Sequence, residues 1–235
     1  MKPFPDEQAE APQDTGPLSS RVKSKVWKVR QSAFDELAQK FQESNPNDEI
    51  FEEYSSDLEK FIADSNPGAQ EKALEALRAY LTKKDRVTID GHSTTKTLVD
   101  KALGPAKPNI KTLSYETLCL MFEKMDKQGI FDGITDSINH KNQKTSCAGV
   151  QAVVELLKNY GAKRLDFLKP FFPHIEKLAA STVSSLRGEA MNFYKEAYRF
   201  MGEGMKPFTI KLKKAQLDEL DKFYAESPKE LAQPL

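Results

Sequence analysis

The sequence predicts an all-α protein, a HEAT-type solenoid of about six helical hairpins. Three observations carry this. Apolar residues recur at helical spacing in short runs separated by turn-forming residues. No run reads as a strand with a neighbour to pair with. The turns opening the second helix of each hairpin, taken at residues 27, 66, 107, 142 and 184, lie 39, 41, 35 and 42 residues apart. A period of about 40 is that of HEAT-type repeats. One hairpin cannot bury its apolar face alone, so stacked hairpins are expected to share a continuous core.

The elements follow in order. Met1 to Gly16 is rich in Pro, Glu, Gln and Asp and reads as a flexible tail over 1–16. It has no apolar core after a basic start, so it does not read as a secretory signal. The folded domain is expected over 17–227. Pro17 to Lys25 forms a short helix, with Trp27 and Lys28 in the turn after it. From about Val29 to Glu43, Val29, Ala33, Leu37 and Phe41 recur four apart, with Phe34 and Ala38 widening the stripe. Glu49 to Ala63 reads as one helix with Phe51, Tyr54, Leu58, Phe61 and Ile62 inward. The turn Asp64 to Gly68 places Asn66 as N-cap and Pro67 at the first position of a helix to about Lys84. Val87 and Ile89 alternate like a strand, but the run is isolated and Asp90-Gly91 ends it.

A third hairpin runs from Ser93 to Leu103, breaks at Gly104 to Pro108, and continues from Asn109 to about Lys127. The fourth pairs Gln128–Ile138 with Lys144–Tyr160, stopped by Gly161. In the fifth, Leu165 to Ala180 has a helical period but contains Pro170 and Pro173, which predicts a kink or a start after Pro170. A long helix then reaches Met201, ended by Gly202 and Gly204. A final helix spans about Lys213 to Ala225, and 228–235 reads as a second loose tail.

Bulk composition narrows the function. There are 35 basic and 35 acidic residues and a pI near 6.9. That argues against a nucleic-acid binder, whose domain would be clearly basic. No window holds the roughly 18 apolar residues of a membrane span. Cys119 and Cys147 read as buried small hydrophobes in helices, without disulfide or zinc spacing, which suits a reducing compartment. His92, His140 and His174 fall in different repeats, there is no Gly-rich phosphate loop, and no catalytic set, metal or cofactor is called for.

Trp27, the lone tryptophan, sits among Lys25, Lys28 and Arg30. It has two readings: a core ring tucked under the end helix, or an exposed anchor on a binding edge. In a hairpin solenoid the turns between paired helices line one edge. Theirs are basic or amide-bearing: Lys25 and Lys28; Asn66; Lys107, Asn109 and Lys111; Lys141, Asn142 and Lys144; Arg187. Glu52, Glu53, Asp57 and Glu59 fall on the outer face of an earlier helix. A neutral chain that puts its cations on one edge is built to hold an acidic protein surface, which favours the exposed anchor. A HEAT adaptor for some other acidic partner fits the same pattern.

The residues 18 to 41, with the block VWKVRQSAFDELAQKF, resemble the opening of the TOG (tumour-overexpressed-gene) domain of the microtubule polymerases. The similarity continues through Asp64-Ser65-Asn66 into 70–81, through 107–121 and 139–157, and through Leu186-Arg187-Gly188-Glu189-Ala190 to Tyr198-Arg199. It covers nearly the whole chain except the tails. The resemblance implies a six-repeat paddle whose turn-lined edge binds the curved, unpolymerised αβ-tubulin heterodimer, in the cytoplasm at microtubule plus ends, spindle or centrosome. Trp27, Lys28, Ser65, Asn66 and Lys107 to Lys111 would serve β-tubulin; Lys141, Asn142, Lys144 and Arg187 would reach α-tubulin. Placement near a starting Met suggests the first TOG domain of a longer multi-TOG protein. Many members carry a lysine just before the matching arginine, where this chain has Ser184 and Ser185.

Overall fold

The computed structural model describes residues 16–104, 107–161 and 166–226. Apart from Gly16, the tails expected at 1–16 and 228–235 lie outside these residues, as does Leu165. Among the described residues every regular element is helical. They form two compact units, one through Lys84 and one from Asp85.

The first unit contains α1 (Leu18–Arg21), α2 (Trp27–Glu43), α3 (Glu49–Ser55), α4 (Leu58–Ile62) and α5 (Pro67–Lys83). Its core is the apolar stripe that the spacing predicts. Ala33, Phe34, Leu37, Ala38 and Phe41 of α2 are all buried, as are Ala69, Ala73, Leu74, Leu77 and Leu81 of α5. Phe41, Phe51 and Tyr80 stack around one another at 4.9 to 5.7 Å between ring centroids. Two boundaries differ from the pattern. α2 starts at Trp27, two residues before its apolar stripe, because its first turn faces out and leaves no periodic signal. The single helix expected over 49–63 is broken at Ser56-Asp57. Ser and Asp side chains compete with the helical ladder: Ser55 Oγ donates to the Glu52 carbonyl, and the Asp57 carboxylate takes Lys60 and Lys23.

The second unit contains α6 (Gly91–Thr97), continuing as a π-helix over Leu98–Leu103, then α7 (Pro108–Lys124), α8 (Lys127–Ile138) and α9 (Gln143–Tyr160). A 3-10 turn at Asp166–Leu168 leads to α10 (Phe172–Ala179), α11 (Ser184–Met201), a second 3-10 turn at Gly202–Met205, α12 (Lys206–Thr209) and α13 (Lys214–Glu226). α7 stops short of Lys127 because Asp126 caps α8, its carboxylate accepting the Gly129 amide at 3.2 Å. α10 starts after Pro170 and places Pro173 in its first turn, where a missing N–H costs nothing. Gly161 ends α9 without a left-handed twist; its φ is −58°. Space explains it instead, since a Cβ would run into the backbone carbonyl oxygen of Leu157 and lie 3.1 Å from Phe200 Cδ1. The twist appears at Gly202, with φ +53° closing α11.

Close backbone approach fixes α6 on α8. A Cβ on Gly133 would lie 2.6 Å from the His92 carbonyl oxygen and 3.0 Å from the Lys96 nitrogen. Gly133→Ala gains up to about 1 kcal/mol of helix propensity but overpacks a rigid crossing at about 1–3 kcal/mol. We expect net destabilisation, read as a lower urea midpoint with unchanged slope. In the first unit, Asn66 Oδ1 accepts the Gly68 and Ala69 amides at 2.9 and 3.2 Å. Asn66→Ala should therefore cost about 1 kcal/mol in the same titration.

Candidate functional site

The second helices begin with a shared turn geometry. Val26, Asn66, Asn142 and Val183 are extended N-caps with φ between −76° and −87° and ψ between 115° and 123°. In each turn the residue two before the cap accepts the cap's own amide. Ser24 Oγ receives Val26 N–H at 3.2 Å and Asp64 Oδ1 receives Asn66 N–H at 2.9 Å. His140 Nδ1 receives Asn142 N–H at 3.0 Å, and Ser181 Oγ receives Val183 N–H at 3.1 Å. Sequence spacing locates the turns but passes over these four acceptors; a side chain able to accept a hydrogen bond, two residues before each cap, is the signal that marks them.

In the first unit, α2 and α5 run parallel, with Lys72 of α5 paired to Asp35 of α2 at 2.8 Å. Their starting turns therefore lie side by side. Trp27 is the first residue of α2 and is 39 % exposed, beside Val26 at 42 %. This is the exposed reading of Trp27. Lys28 Nζ lies 5.9 Å from the indole centroid, and Lys25 and Ser65 are exposed. Arg30 binds the turn together. Its Nη1 donates to the carbonyls of Ser24 and Lys25 at 2.8 and 3.2 Å. Its Nε and Nη2 fork onto the Asp64 carboxylate at 2.5 and 2.8 Å. The bonds to Asp64 hold the guanidinium above its ordinary range.

In the second unit, α7, α9 and α11 run parallel. Gln151 of α9 lies 3.5 Å from the Tyr115 hydroxyl of α7 and 2.5 Å from Glu189 of α11. Tyr160, at the end of α9, donates to the Cys119 carbonyl of α7 at 3.1 Å. Within this unit the three turns open on the same side. Lys107 is the N-cap of α7; it and Asn109 are exposed, and Lys111 is half-buried. Lys141, Asn142 and Lys144 are exposed around the start of α9. Arg187, half-buried in α11, donates through Nη1 to the carbonyls of Ser181 and Thr182 at 2.9 and 2.6 Å.

The residues singled out by sequence thus divide by task. Lys28, Lys107, Lys141 and Lys144 present charge at the surface. Asn66 and Asn142 cap their helices, and Arg187 braces its own turn. The turns of the first unit are not purely cationic: Asp64 sits between them and takes up Arg30. The cysteines are half-buried rather than buried. Burial pushes the Cys119 thiol up to about 11. The three histidines go to separate partners: His92 to Asp136, His140 to the Asn142 amide, His174 to the Asn139 side chain. Among the described residues no three His, Cys, Asp or Glu side chains are arranged to hold a metal ion, and no helix is long and apolar enough to cross a membrane.

Known proteins place this architecture. The chain is 29% identical over 231 residues to Centrosomal protein 224 of Dictyostelium discoideum, covering 96% of this chain and 11% of that protein. It is 29% identical over 221 residues to Spindle pole body component alp14 of Schizosaccharomyces pombe, covering 91% of this chain and 27% of that one. The chain therefore spans roughly a tenth to a quarter of these relatives. A solved structure concerned with tubulin recruitment and assembly by microtubule polymerases with TOG domain arrays superposes with a TM-score of 0.74. It is 22% identical and covers 89% of this chain and 45% of that one. That likeness gives the fold, a HEAT-repeat solenoid of the TOG type. The model of the XMAP215/Dis1/CLASP TOG domain matches residues 13–224, and the chain belongs to that family.

Proposed function

We propose that this chain captures the curved αβ-tubulin heterodimer through its second-helix turns, as the tubulin-binding module of a longer microtubule polymerase or plus-end regulator. The observation that carries the reading is Trp27. In a family member, the only indole stands exposed at the first residue of a helix, within a braced turn and beside exposed lysines. An aromatic ring held rigid at the surface loses little entropy on docking, which is what an interface anchor needs. Trp27, Lys28, Ser65 and Asn66, with Lys107, Asn109 and Lys111, serve the β subunit in this reading. Lys141, Asn142, Lys144 and Arg187 serve the α subunit. The exposed lysines give steering toward an acidic surface. The role is non-enzymatic, and the relatives named for the centrosome, the spindle pole body and mini spindles support a place on the microtubule cytoskeleton.

Size-exclusion chromatography with soluble tubulin tests the reading. Trp27→Ala and Arg187→Ala should each weaken the complex by about 1–3 kcal/mol while leaving the helical circular dichroism unchanged. Undiminished co-elution of the double variant would defeat it. Retention of another acidic protein with tubulin absent from the bound fraction would point instead to a HEAT adaptor.

The lysine contribution is separable by salt. Exposed charges are screened over about 8 Å at physiological ionic strength. Affinity of the unmodified chain should fall as salt rises, and the slope should flatten when Lys107, Lys141 and Lys144 are changed together to Gln.

A further inference from the structure

The fifth turn repeats the first bond for bond. In Ser24-Lys25-Val26 and in Ser181-Thr182-Val183, the serine hydroxyl accepts the valine amide. In both, an arginine four residues after the valine donates Nη1 to the two carbonyls that precede that valine. The difference lies on the other side of the guanidinium. Arg30 places Nε and Nη2 on Asp64, whereas no acidic side chain among the described residues pairs with Arg187. The fifth turn therefore forms without a carboxylate. By the same chemistry Asp64 is not needed to make the Trp27 turn. What it does is join that turn to the next one, since the same carboxylate also accepts the Asn66 amide. Asp64 is well placed for this, with its side chain only 5 % exposed.

We infer that Asp64, acting through the fork of Arg30, is a positioning residue that fixes the Trp27 turn against the Asn66 turn for partner binding, without itself touching the partner. The inference rests on the tubulin-binding reading above. It carries an unusual sign. Asp64 is a negative charge on an edge meant for an acidic surface. If charge were its only effect, removing it would tighten binding. If it positions Trp27, removing it weakens binding although the edge becomes more positive.

The test uses Asp64→Ser, because serine fills the equivalent place in the first and fifth turns and keeps an acceptor for the Asn66 amide. Trp27 is the only tryptophan, so its fluorescence in the free chain reports the turn directly. Asp64→Ser should lower Trp27 anisotropy and raise acrylamide quenching while the helical signal at room temperature is kept. Tubulin affinity should fall on the order of tenfold, a coupling of the size seen between neighbouring residues. In a Trp27→Ala background the same substitution should cost nothing further. Equal or tighter binding, an equal loss without Trp27, or an unchanged fluorescence response would each overturn the inference. Should Asp64→Ser fail to fold, the near-isosteric Asp64→Asn carries the same three readouts. Failure of the unmodified chain to bind tubulin would strike the functional reading, while the fluorescence of the free chain still decides whether Asp64 holds the turn.

Discussion

The constraint on which this structure depends is the supply of acceptors at helix starts. A helix leaves its first backbone amides without partners, and a turn adds the amide of the cap itself. Four of the second helices meet the cap amide with a side chain two residues upstream, from Ser24, Asp64, His140 and Ser181. Because the acceptor is local, each turn is defined by its own few residues. The surface residues at the helix start, Trp27 and Lys28 in one case and Lys144 in another, are then carried on backbone that is already ordered. That is how an exposed indole can be held in place without being buried.

Packing builds on this order. Parallel second helices bring turn next to turn within each unit, and the contacts that align them are polar as well as apolar. Lys72 and Asp35 align α5 with α2; Gln151 lies between Tyr115 and Glu189 in the second unit. Surface ion pairs contribute little to stability, typically about 0–1 kcal/mol. Their value here is register. The stability comes from the buried stripes, such as Ala33 to Phe41 against Ala69 to Leu81, and at the α6–α8 crossing from a glycine that lets two backbones meet.

Much of this was legible in the sequence, for identifiable reasons. Apolar spacing at period 3.6 marks α2, α5, α9 and α11, and Asn66-Pro67 announces a helix start almost to the residue. The start at Trp27 leaves no mark in the spacing because the first turn of α2 buries nothing. The break at Ser56-Asp57 is hidden because the apolar pattern runs through it, while Asp57 is drawn to Lys23 and Lys60. The π-helix at Leu98–Leu103 has no spacing signature of its own. At the candidate site, the sequence marks which residues gather at each turn more clearly than what each side chain bonds there. Asn66 is legible as a cap from the proline after it, whereas the cap at Asn142 and the bonds of Arg187 to its own turn leave no such mark. A one-dimensional pattern shows which side chains cluster at a turn. It does not show which of their donors the backbone has already claimed.

The pairing of the first and fifth turns shows what the scaffold leaves to choice. Ser24 and Ser181, Val26 and Val183, Arg30 and Arg187 are the same residues making the same bonds within their own turns. The positions between valine and arginine are not used to build the turn, and there the chain diverges: Trp27-Lys28 in one, Ser184-Ser185 in the other. A turn that stands on Ser, Val and Arg alone can vary its first two helical residues at little cost to folding. An aromatic with a lysine gives a large apolar contact with charge beside it, whereas two serines give small hydroxyls and leave any strong interaction to the rest of the turn. The same local architecture can therefore present two unlike surfaces, and the difference between them resides in side chains that take no part in the turn's own hydrogen bonds.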